Sequence, residues 1–395
     1  MKFLLIYVPN LRFNNDPYKK YNLYEFATRV TRKNKDNVSN LPLTISAQYG
    51  LVDQVSFFNK TVASKDMSGY YLLKNGEFAY NKSYSNDYPW GAIKRLDLYD
   101  MGCLSTLYIC FKTNDNIVNS NYLVHYFESS KWHKQVADIA GEGARNHGLL
   151  NIGVNDFFNT KHAVPTIENQ IKIAGFLDLI EKRIQTQIKI IDDYMTYRNA
   201  IVDYFFESLS SDWNRIKLSN ILKEYSELHV KDNSIVHATL SKEGIFPKTD
   251  RYDRDFLVKD EDKKYKVTHL NDICYNPANL KFGVITRNTI GDCIISPIYV
   301  TFKIENGFLP KFVELLVTRK RFISRARKYE QGTVYERMAV NSSDLLSMYV
   351  SIPSLNTQQT IVNIINNIDN KISNEKELLK LYRAQKVYLL KNMFI

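Results

Sequence analysis

The sequence predicts an α+β protein that contains one structural unit twice, a mixed domain of short strands and helices followed by a long helix. Three observations support this fold class. Apolar residues follow a heptad-like pattern over 164–208 and again over 353–395, and a two-fold repeat relates the rest of the chain. If the two long helices pair as an antiparallel coiled coil, the two domains are related by an approximate two-fold axis.

The first long helix is predicted over 164–208. Its apolar residues recur at steps of three and four, the spacing of one helix face. Thr166 stands at the predicted start, no proline follows it, and the one glycine, Gly175, is tolerable in so long a helix. At about 1.5 Å per residue the helix would be roughly 60 Å long and would need a partner for its apolar seam. The seam residues are Ile173, Leu177, Ile180, Ile184, Ile188, Ile191 and Met195.

The partner helix is predicted over 353–395. Pro165 matches Pro353 and Gln170 matches Gln358, each pair 188 residues apart. The chain therefore uses one helix design twice. The second seam contains Ile361, Ile365, Ile368, Ile372, Leu379 and Tyr382.

The repeat extends through the two domains. The segment 16–26 lines up with 211–221, segment 77–81 with 272–276, and segment 105–112 with 296–303. The offset drifts only from 195 to 188, which indicates a tandem duplication with a few surface insertions and deletions.

Short runs rich in β-branched and aromatic residues predict strands within both domains, and two amphipathic stretches predict helices. Without a regular alternation of strand and helix, these elements favour an α+β domain over a doubly wound one. The predicted strands are Tyr70–Leu73, Glu77–Tyr80, Thr106–Phe111, Asp272–Tyr275 and Ile298–Phe302. The predicted helices are Asn121–Val136 and Pro310–Arg325, with Tyr122, Leu123, Phe127, Phe312, Leu315 and Leu316 facing inward.

The net charge of +11 lies almost entirely outside the long helices. The helices together carry eleven basic and ten acidic residues, so the basic excess belongs to the domains and indicates a polyanionic partner, most simply nucleic acid. The sequence contains no run of 18 apolar residues that would predict a membrane span, and the start MKFLLIYVPN does not resemble a secretory signal. We therefore expect a cytoplasmic protein without a membrane partner, whose four cysteines are buried free thiols.

The common signatures of nucleotide, cofactor and hydrolase sites are missing from the sequence, and we expect no metal site and no catalytic residue. Two weak matches remain. The segment 276–279, NPAN, is similar to a loop of adenine methyltransferases but lacks its second proline and its aromatic residue, so a turn after a strand is the better interpretation. Glu261 and Lys263, downstream of Asp250, have a nuclease-like spacing inside a charge-dense stretch that is better explained as a solvated loop.

The remaining candidates are DNA contacts. Lysine and arginine position a protein on the phosphate backbone, whereas polar and aromatic side chains can contact base edges. In the first domain the candidates are Arg32, Lys33, Gln48, Tyr49, Tyr84, Lys94, Arg95, Arg145, Asn146 and His147. In the second domain they are Lys242, Asn279, Lys281, Arg287, Thr333 and Arg337.

Two elements resemble a known family, the specificity subunits of type I restriction–modification systems. VPNLRF at 8–13, followed by KYNLYEF, is similar to the start of that family's target-recognition domains. The repeated pattern P-x-x-x-x-Q-x-x-I, which opens both long helices, is similar to the family's two spacer regions. The second domain lacks a copy of VPNLRF.

The resemblance implies a non-catalytic DNA-binding subunit with target-recognition domains over 1–163 and 209–352, a central spacer helix over 164–208 and a C-terminal spacer helix over 353–395. Each domain would read one half of a bipartite, asymmetric site in double-stranded DNA. The helices would set the spacing and dock two methyltransferase subunits, and restriction endonuclease/translocase subunits would join them. S-adenosylmethionine, ATP and Mg²⁺ would be bound by those partners and not by this chain. Two alternatives stay open, a stand-alone nuclease or methyltransferase and a coiled-coil scaffold.

Overall fold

A computed structural model of the chain describes residues 18–46, 49–60, 63–85, 88–140, 148–230, 234–248, 264–331 and 338–394. The chain divides into two compact units. The first comprises Met1–Ile188 and Glu377–Ile395, and the second comprises Lys189–Lys376. Each unit therefore includes one domain and part of each long helix.

The first unit has ten described strands and five short helices before its long helix. The strands are β1 Lys19–Asn22, β2 Ala27–Arg29, β3 Leu43–Ser46, β4 Gly50–Asp53, β5 Tyr71–Lys74, β6 Phe78–Asn81, β7 Ala92–Arg95, β8 Met101–Leu104, β9 Ile109–Thr113 and β10 Lys161–Val164. The helices are α1 Leu23–Phe26, α2 Gln54–Phe58, α3 Ser120–Glu128, α4 His133–Ile139, α5 Val154–Phe158 and the long α6 Ile167–Ser208.

The second unit continues from α6 with eleven described strands. They are β11 Asn214–Lys217, β12 Leu222–Tyr225, β13 Leu228–Val230, β14 Val236–Ser241, β15 Gly244–Pro247, β16 Lys264–Thr268, β17 Ile273–Tyr275, β18 Ile285–Arg287, β19 Cys293–Ile295, β20 Val300–Ile304 and β21 Tyr349–Ile352. Its helices are α7 Pro310–Thr318, α8 Lys320–Ala326, α9 Ser342–Ser347 and the long α10 Leu355–Met393.

The two units share most of their topology, and their mixture of strands and helices confirms the predicted fold class. The second unit differs in that β14 pairs with β19 and β13 pairs with β16, which joins the equivalents of two small sheets into one five-stranded sheet, β13-β16-β19-β14-β15. A four-stranded antiparallel sheet has the order β2-β9-β6-β7 in the first unit and β12-β20-β17-β18 in the second. In each domain the first described strand pairs with the last strand, which directly precedes the long helix. These two-stranded sheets are β1-β10 in the first unit and β11-β21 in the second. The hairpin β3-β4 corresponds to β14-β15, and the pair β5-β8 corresponds to β16-β19.

The central sheet is buried on both faces because successive side chains of a strand point to opposite sides. In β6, Phe78 and Tyr80 enter the core against the helices, whereas Ala79 enters a smaller core beneath the second layer of strands. In β17, Tyr275 faces the helices and Cys274 faces the smaller core. All four cysteines are buried free thiols, as the sequence predicts.

The long helices pair in antiparallel fashion within each unit. In the first unit, Lys386 of α10 donates a hydrogen bond of 2.8 Å to Glu181 of α6, and Arg183 stacks on the Tyr382 ring at 4.2 Å. In the second unit, Arg198 of α6 binds Asp369 of α10. The predicted seam is buried at Ile173, Leu177, Ile180, Ile184, Ile191, Ile361, Ile365 and Ile372 and partly buried at Ile188, Ile368 and Leu379. Met195, which continues the sequence pattern, is instead exposed.

Two predicted helices are broken. The stretch 121–136 forms α3 and α4, because Ser129 is extended at φ −79° and ψ 168° and its hydroxyl donates to the Tyr126 carbonyl. The stretch 310–325 forms α7 and α8, because Arg319 is extended at ψ 141°. The inward-facing residues predicted for these helices are all buried.

The predicted strands β9 and β20 begin later than their sequence patterns indicate. Both are preceded by a turn, in which the Tyr108 amide donates to the Ser105 carbonyl and the Tyr299 amide donates to the Ser296 carbonyl. The apolar residues of these turns belong to the turn and not to the strand. No helix in the described ranges is long and apolar enough to cross a membrane.

Candidate nucleic-acid interface

A cleft of about 740 Å³ in the first unit brings together three of the predicted contact residues, Tyr49, Lys94 and Arg95. Tyr49 lies in the turn of the β3-β4 hairpin, and its ring is exposed; its amide donates to the Ser46 hydroxyl at 3.2 Å. The following Gly50 has φ +83°, a conformation that favours glycine and lets the hairpin close. The cleft therefore presents an aromatic ring on a short, hydrogen-bonded turn.

Lys94 and Arg95 are held by neighbouring side chains. Lys94 forms an ion pair with Glu128, and Arg95 donates to Asp97 at 2.6 Å and to Asn121 at 2.7 Å. Their side chains are only 12% and 17% exposed. These two basic residues connect the end of β7 to α3. Their positive charges are therefore largely neutralised or hydrogen-bonded within the unit.

Another part of the cleft wall, lined by His125, Glu181 and Lys386, has balanced charges. His125 contacts Asp178 at 2.8 Å, yet burial lowers the pKa of His125, and this effect outweighs the opposing effect of its hydrogen bond to Asp178. The pair is therefore a hydrogen bond from a neutral imidazole to a carboxylate at neutral pH. The ion pair of Lys386 with Glu181 completes this wall.

The remaining predicted residues of the first unit are scattered. Arg32 forms an ion pair with Glu77 at 2.7 Å, and Lys33 donates to the Gly69 carbonyl at 2.8 Å. Tyr84 has an exposed side chain, and its backbone amide donates to the Gly148 carbonyl. The other candidates lie outside the described residues, namely Gln48, Arg145, Asn146 and His147.

In the second unit, the structure brings Lys242, Asn279 and Lys281 into one neighbourhood. Lys242 lies in the β14-β15 turn, with its side chain 67% exposed. Asn279 and Lys281 lie in a 3-10 helix, Pro277–Phe282, which ends at Gly283 with φ +84°. A side chain at Gly283 would come within 3.9 Å of Lys242, so the hairpin turn and the end of the 3-10 helix are adjacent.

Two exposed aromatic residues of this surface, Phe246 and Phe282, are absent from the sequence-based candidates. The Lys281 ammonium lies 5.2 Å from the centre of the Phe282 ring. For Phe282 the signal that could have identified it is the adjacent lysine, Lys281, just before a glycine; Phe246 lies in β15 and carried no such signal. Exposed bases beside exposed aromatic rings are suited to contact phosphates and bases.

The segment 276–279 is a turn after a strand, as predicted. The Asn276 side chain accepts hydrogen bonds from the Ala278 and Asn279 amides at 3.1 and 3.3 Å and so caps the 3-10 helix. A capping asparagine has its oxygen occupied by backbone amides, which explains its presence without a catalytic role.

Arg287 belongs to the framework of the second unit. It donates to Glu314 of α7 at 3.0 Å and to Asn271 at 2.6 Å, and its side chain is 17% exposed. Arg287 pairs with Ile273 across the sheet as Arg95 pairs with Phe78. Both arginines thus tie the same strand to the same helix in the repeat. Two further candidates, Thr333 and Arg337, lie outside the described residues, as do Asp250, Glu261 and Lys263.

In the described parts of the chain, no group of histidine, cysteine and acidic residues is arranged to hold a metal ion. What the described surfaces offer is hydrogen bonding, exposed positive charge and aromatic stacking. These are the means by which a protein contacts DNA without reacting with it.

Comparison with known proteins identifies the fold. Residues 262–381 match the family model described as the type I restriction modification DNA specificity domain. A chain from a structure of the complex assembly and conformational transition of the type I R-M system aligns with a TM-score of 0.58 and 14% identity, over 95% of this chain and 96% of that one. The S subunit of a type I restriction–modification system from M. genitalium aligns with a TM-score of 0.50 and 14% identity, over 98% and 99% of the two chains.

No curated protein matches the sequence. The family match lies on the second unit and the start of α10, whereas the structural matches extend over nearly the whole chain. The resemblance found in the sequence is therefore confirmed at two levels: residues 262–381 match the model of the type I restriction modification DNA specificity domain, and the chain has the fold of type I specificity subunits.

Proposed function

We propose that the chain reads a bipartite, asymmetric site in double-stranded DNA and directs adenine methylation and restriction by partner subunits. The observation that carries this proposal is the repeat: two units that share most of their topology present different side chains at the same place. Tyr49 lies in the β3-β4 turn and Lys242 lies in the equivalent β14-β15 turn.

Equivalent turns with different chemistry would contact different bases. In both hairpins a serine pairs with a glycine at the end of the turn, Ser46 with Gly50 and Ser241 with Gly244. The strand pairing around the turn is thus repeated, whereas the turn itself differs, with three residues between Ser46 and Gly50 and two between Ser241 and Gly244. Two such surfaces on one chain would read two unlike half-sites, which makes the full site asymmetric.

Exposure divides the candidates into two groups. Lys242 and Lys281 are exposed and can neutralise phosphates; the one carboxylate beside Lys242, Glu243 at 3.5 Å, is itself exposed. Lys94, Arg95 and Arg287 are largely buried and have carboxylate partners within their own units. Phosphate contacts supply sequence-independent affinity, and contacts to base edges supply specificity. We assign base contacts to Tyr49 and Asn279 and phosphate contacts to the two lysines.

The partner subunits follow from the family. Two methyltransferase subunits that bind S-adenosylmethionine would carry out methylation, and endonuclease/translocase subunits that bind ATP and Mg²⁺ would carry out cleavage. The long helices α6 and α10 would set the spacing between half-sites and provide docking surfaces for the methyltransferase subunits.

A domain exchange tests the proposal. Replacing residues 209–352 with the corresponding domain of another specificity subunit, followed by methylome sequencing in a host that carries the methyltransferase, should change one half of the methylated site and leave the other half intact. An unchanged site, or a site altered in both halves, would contradict the proposal.

A second experiment addresses the alternatives. Mg²⁺-dependent cleavage or methyl transfer by the purified chain alone, lost in Glu261→Ala or Asn276→Ala, would establish an enzyme. Failure to bind any duplex DNA even with the methyltransferase present would establish a scaffold. We expect neither outcome.

A further inference from the structure

A small pocket in the second unit contains two arginines that the proposed DNA surface does not use. Its volume is about 190 Å³, and its polar lining comes from Arg319, Arg325, Ser210 and Ser351. Arg319 is the residue that breaks the predicted helix between α7 and α8. The break places this side chain at the pocket, beside the end of α6.

The Arg319 side chain is held in position, but its hydrogen-bonding capacity is not fully used. Its guanidinium carbon lies 3.9 Å from the centre of the Phe206 ring, a stacking contact that fixes the plane of the group. Its Nε is buried and has no hydrogen-bond partner among the described residues. A buried donor without a partner costs about 1–3 kcal/mol, so a ligand that accepts from it recovers that cost.

Arg325 approaches the same pocket from α8. One of its nitrogens donates to the Tyr349 carbonyl at 2.7 Å, which anchors the group by one of its five N–H donors. Burial lowers the pKa of Arg319 to about 10, so its guanidinium is still charged at neutral pH. Asp203 and Glu207 of α6 favour the charge on Arg319, and Glu207 is itself bound by Arg321 at 2.8 Å.

The repeat shows that the fold does not need these arginines. Ser129 ends α3 as Arg319 ends α7. Gln135 accepts from the Lys161 amide in β10, where Arg325 donates to the Tyr349 carbonyl in the equivalent strand β21. The first unit therefore builds the same junction with two uncharged residues.

We propose that this pocket binds a phosphate group, held by the guanidinium groups of Arg319 and Arg325 and by the hydroxyls of Ser210 and Ser351. Paired arginines suit a tetrahedral oxyanion because each offers several N–H donors in one plane. The phosphate could be free or part of a DNA backbone. The phosphate-binding proposal follows from the geometry of the pocket and does not depend on the proposed function. Only the assignment of the phosphate to DNA rests on the proposed function.

The test uses the full chain and inorganic phosphate as the probe. Isothermal titration in low-chloride buffer should show phosphate binding to the wild type. In the double variant Arg319→Ser with Arg325→Gln, which copies the residues of the first unit, binding should weaken about tenfold or more. Lys320→Gln with Lys328→Gln, which removes two charges from the same region, is the matched control and should retain binding.

The salt dependence of duplex binding distinguishes the two sources. If the pocket binds a DNA phosphate, the double variant should lower the slope of log affinity against log salt concentration by about one. The control variant should keep the part of the slope that comes from this pocket. If the pocket takes free phosphate, titration alone should change. No phosphate binding by the wild type together with an unchanged slope in the double variant would overturn the proposal.

A measurement on the wild type covers the case in which the double variant fails to fold. Phenylglyoxal modifies accessible arginines, and mass spectrometry locates the modified peptides. Inorganic phosphate, or duplex DNA, should protect the peptides that contain Arg319 and Arg325 at least several-fold more than the peptide that contains Arg183, which lies on α6 in the first unit. Equal modification with and without both probes would overturn the proposal.

Discussion

Gln170 and Gln358, 188 residues apart, make the same pair of hydrogen bonds in the two units. The Gln170 side-chain oxygen accepts from the Asn119 amide at 2.7 Å and its nitrogen donates to the Pro165 carbonyl at 2.8 Å. Gln358 accepts from the Leu309 amide at 3.0 Å and donates to the Pro353 carbonyl at 3.2 Å. Each glutamine thus fastens the first turn of a long helix to the residue that precedes α3 or α7.

Replacing either glutamine with alanine should destabilise its unit. Gln170→Ala leaves the part-buried amide of Asn119 without its partner, and a polar group left unsatisfied away from water costs about 1–3 kcal/mol. Gln358→Ala should cost a similar free energy of unfolding in the second unit. Gln359→Ala, which removes an exposed side chain one residue away, should stay within about 0.5 kcal/mol of the wild type. Urea unfolding measures all three, and equal midpoints would contradict the anchoring role.

A charge in the helix seam should disrupt the pairing of α6 with α10. Ile184 is buried in the core of the first unit, where removing the side chain alone costs about 2–5 kcal/mol. Ile184→Asp adds an unpaired buried carboxylate and should therefore abolish cooperative folding of that unit. Leu179→Asp lies on an exposed position of the same helix and should be tolerated. Thermal unfolding followed by circular dichroism distinguishes the two variants, and Ile372→Asp is a second seam variant for the other helix.

Substitutions of Lys281 and Arg287, which are six residues apart, should affect different properties, DNA binding for Lys281 and stability for Arg287. Lys281→Gln removes an exposed charge and should lower the salt slope of DNA binding by about one without changing stability. Arg287→Gln breaks an ion pair whose side chains are 17% and 19% exposed, so it should lower stability. Filter binding across a salt series and urea unfolding should be measured for both. A loss of stability in Lys281→Gln would contradict the assignment of that lysine to the interface.

Acidification should destabilise the first unit through His162. Burial lowers the pKa of this histidine to about 4, while the ring lies between the Tyr126 and Thr160 hydroxyls at 2.9 and 2.8 Å. Because the unfolded chain takes up the proton near its ordinary pKa of 6.5, stability is full above that pH and falls as the pH drops towards 4. The loss should be on the order of 3 kcal/mol.

His162→Gln provides the control for this pH dependence. Glutamine does not titrate, so the variant should lose less stability between pH 6.5 and 4 than the wild type does, whatever its stability at neutral pH. Parallel urea titrations at several pH values give both slopes. Identical slopes would assign the acid sensitivity to other groups, such as His125, whose pKa burial also lowers.

The spacing proposal predicts a change in the DNA site. Adding or removing one helical turn, about 5.4 Å, in both α6 and α10 should change the tolerated gap between half-sites by one or two base pairs. The four residues should be inserted near Lys189 and Lys376, where the two units divide. Methylome sequencing reports the gap, and a methylated site of unchanged spacing would refute the role of the helices as a spacer.

The sequence by itself determined the repeat, the long helices and the buried seam, because periodic apolar residues and a fixed offset are properties of the chain alone. It also determined the family resemblance, since Gln170 and Gln358 stand in a pattern that can be read without coordinates. It placed β6 and β17 to within one residue; in these strands the large residues enter the core against the helices, and the small Ala79 and Cys274 enter the second core.

Only the tertiary structure decided which charges remain free. Arg95, Arg287 and Lys281 are alike in sequence, but Arg95 is held by Asp97 and by Asn121 of α3, and Arg287 is held by Glu314 of α7. Lys281 forms no such ion pair among the described residues. The break at Arg319 is equally invisible in the sequence, because the helical pattern of 310–325 continues through it. An ion pair, a stacked ring or a pocket depends on residues distant in the chain, and their distances are fixed only when the sheets and helices have packed.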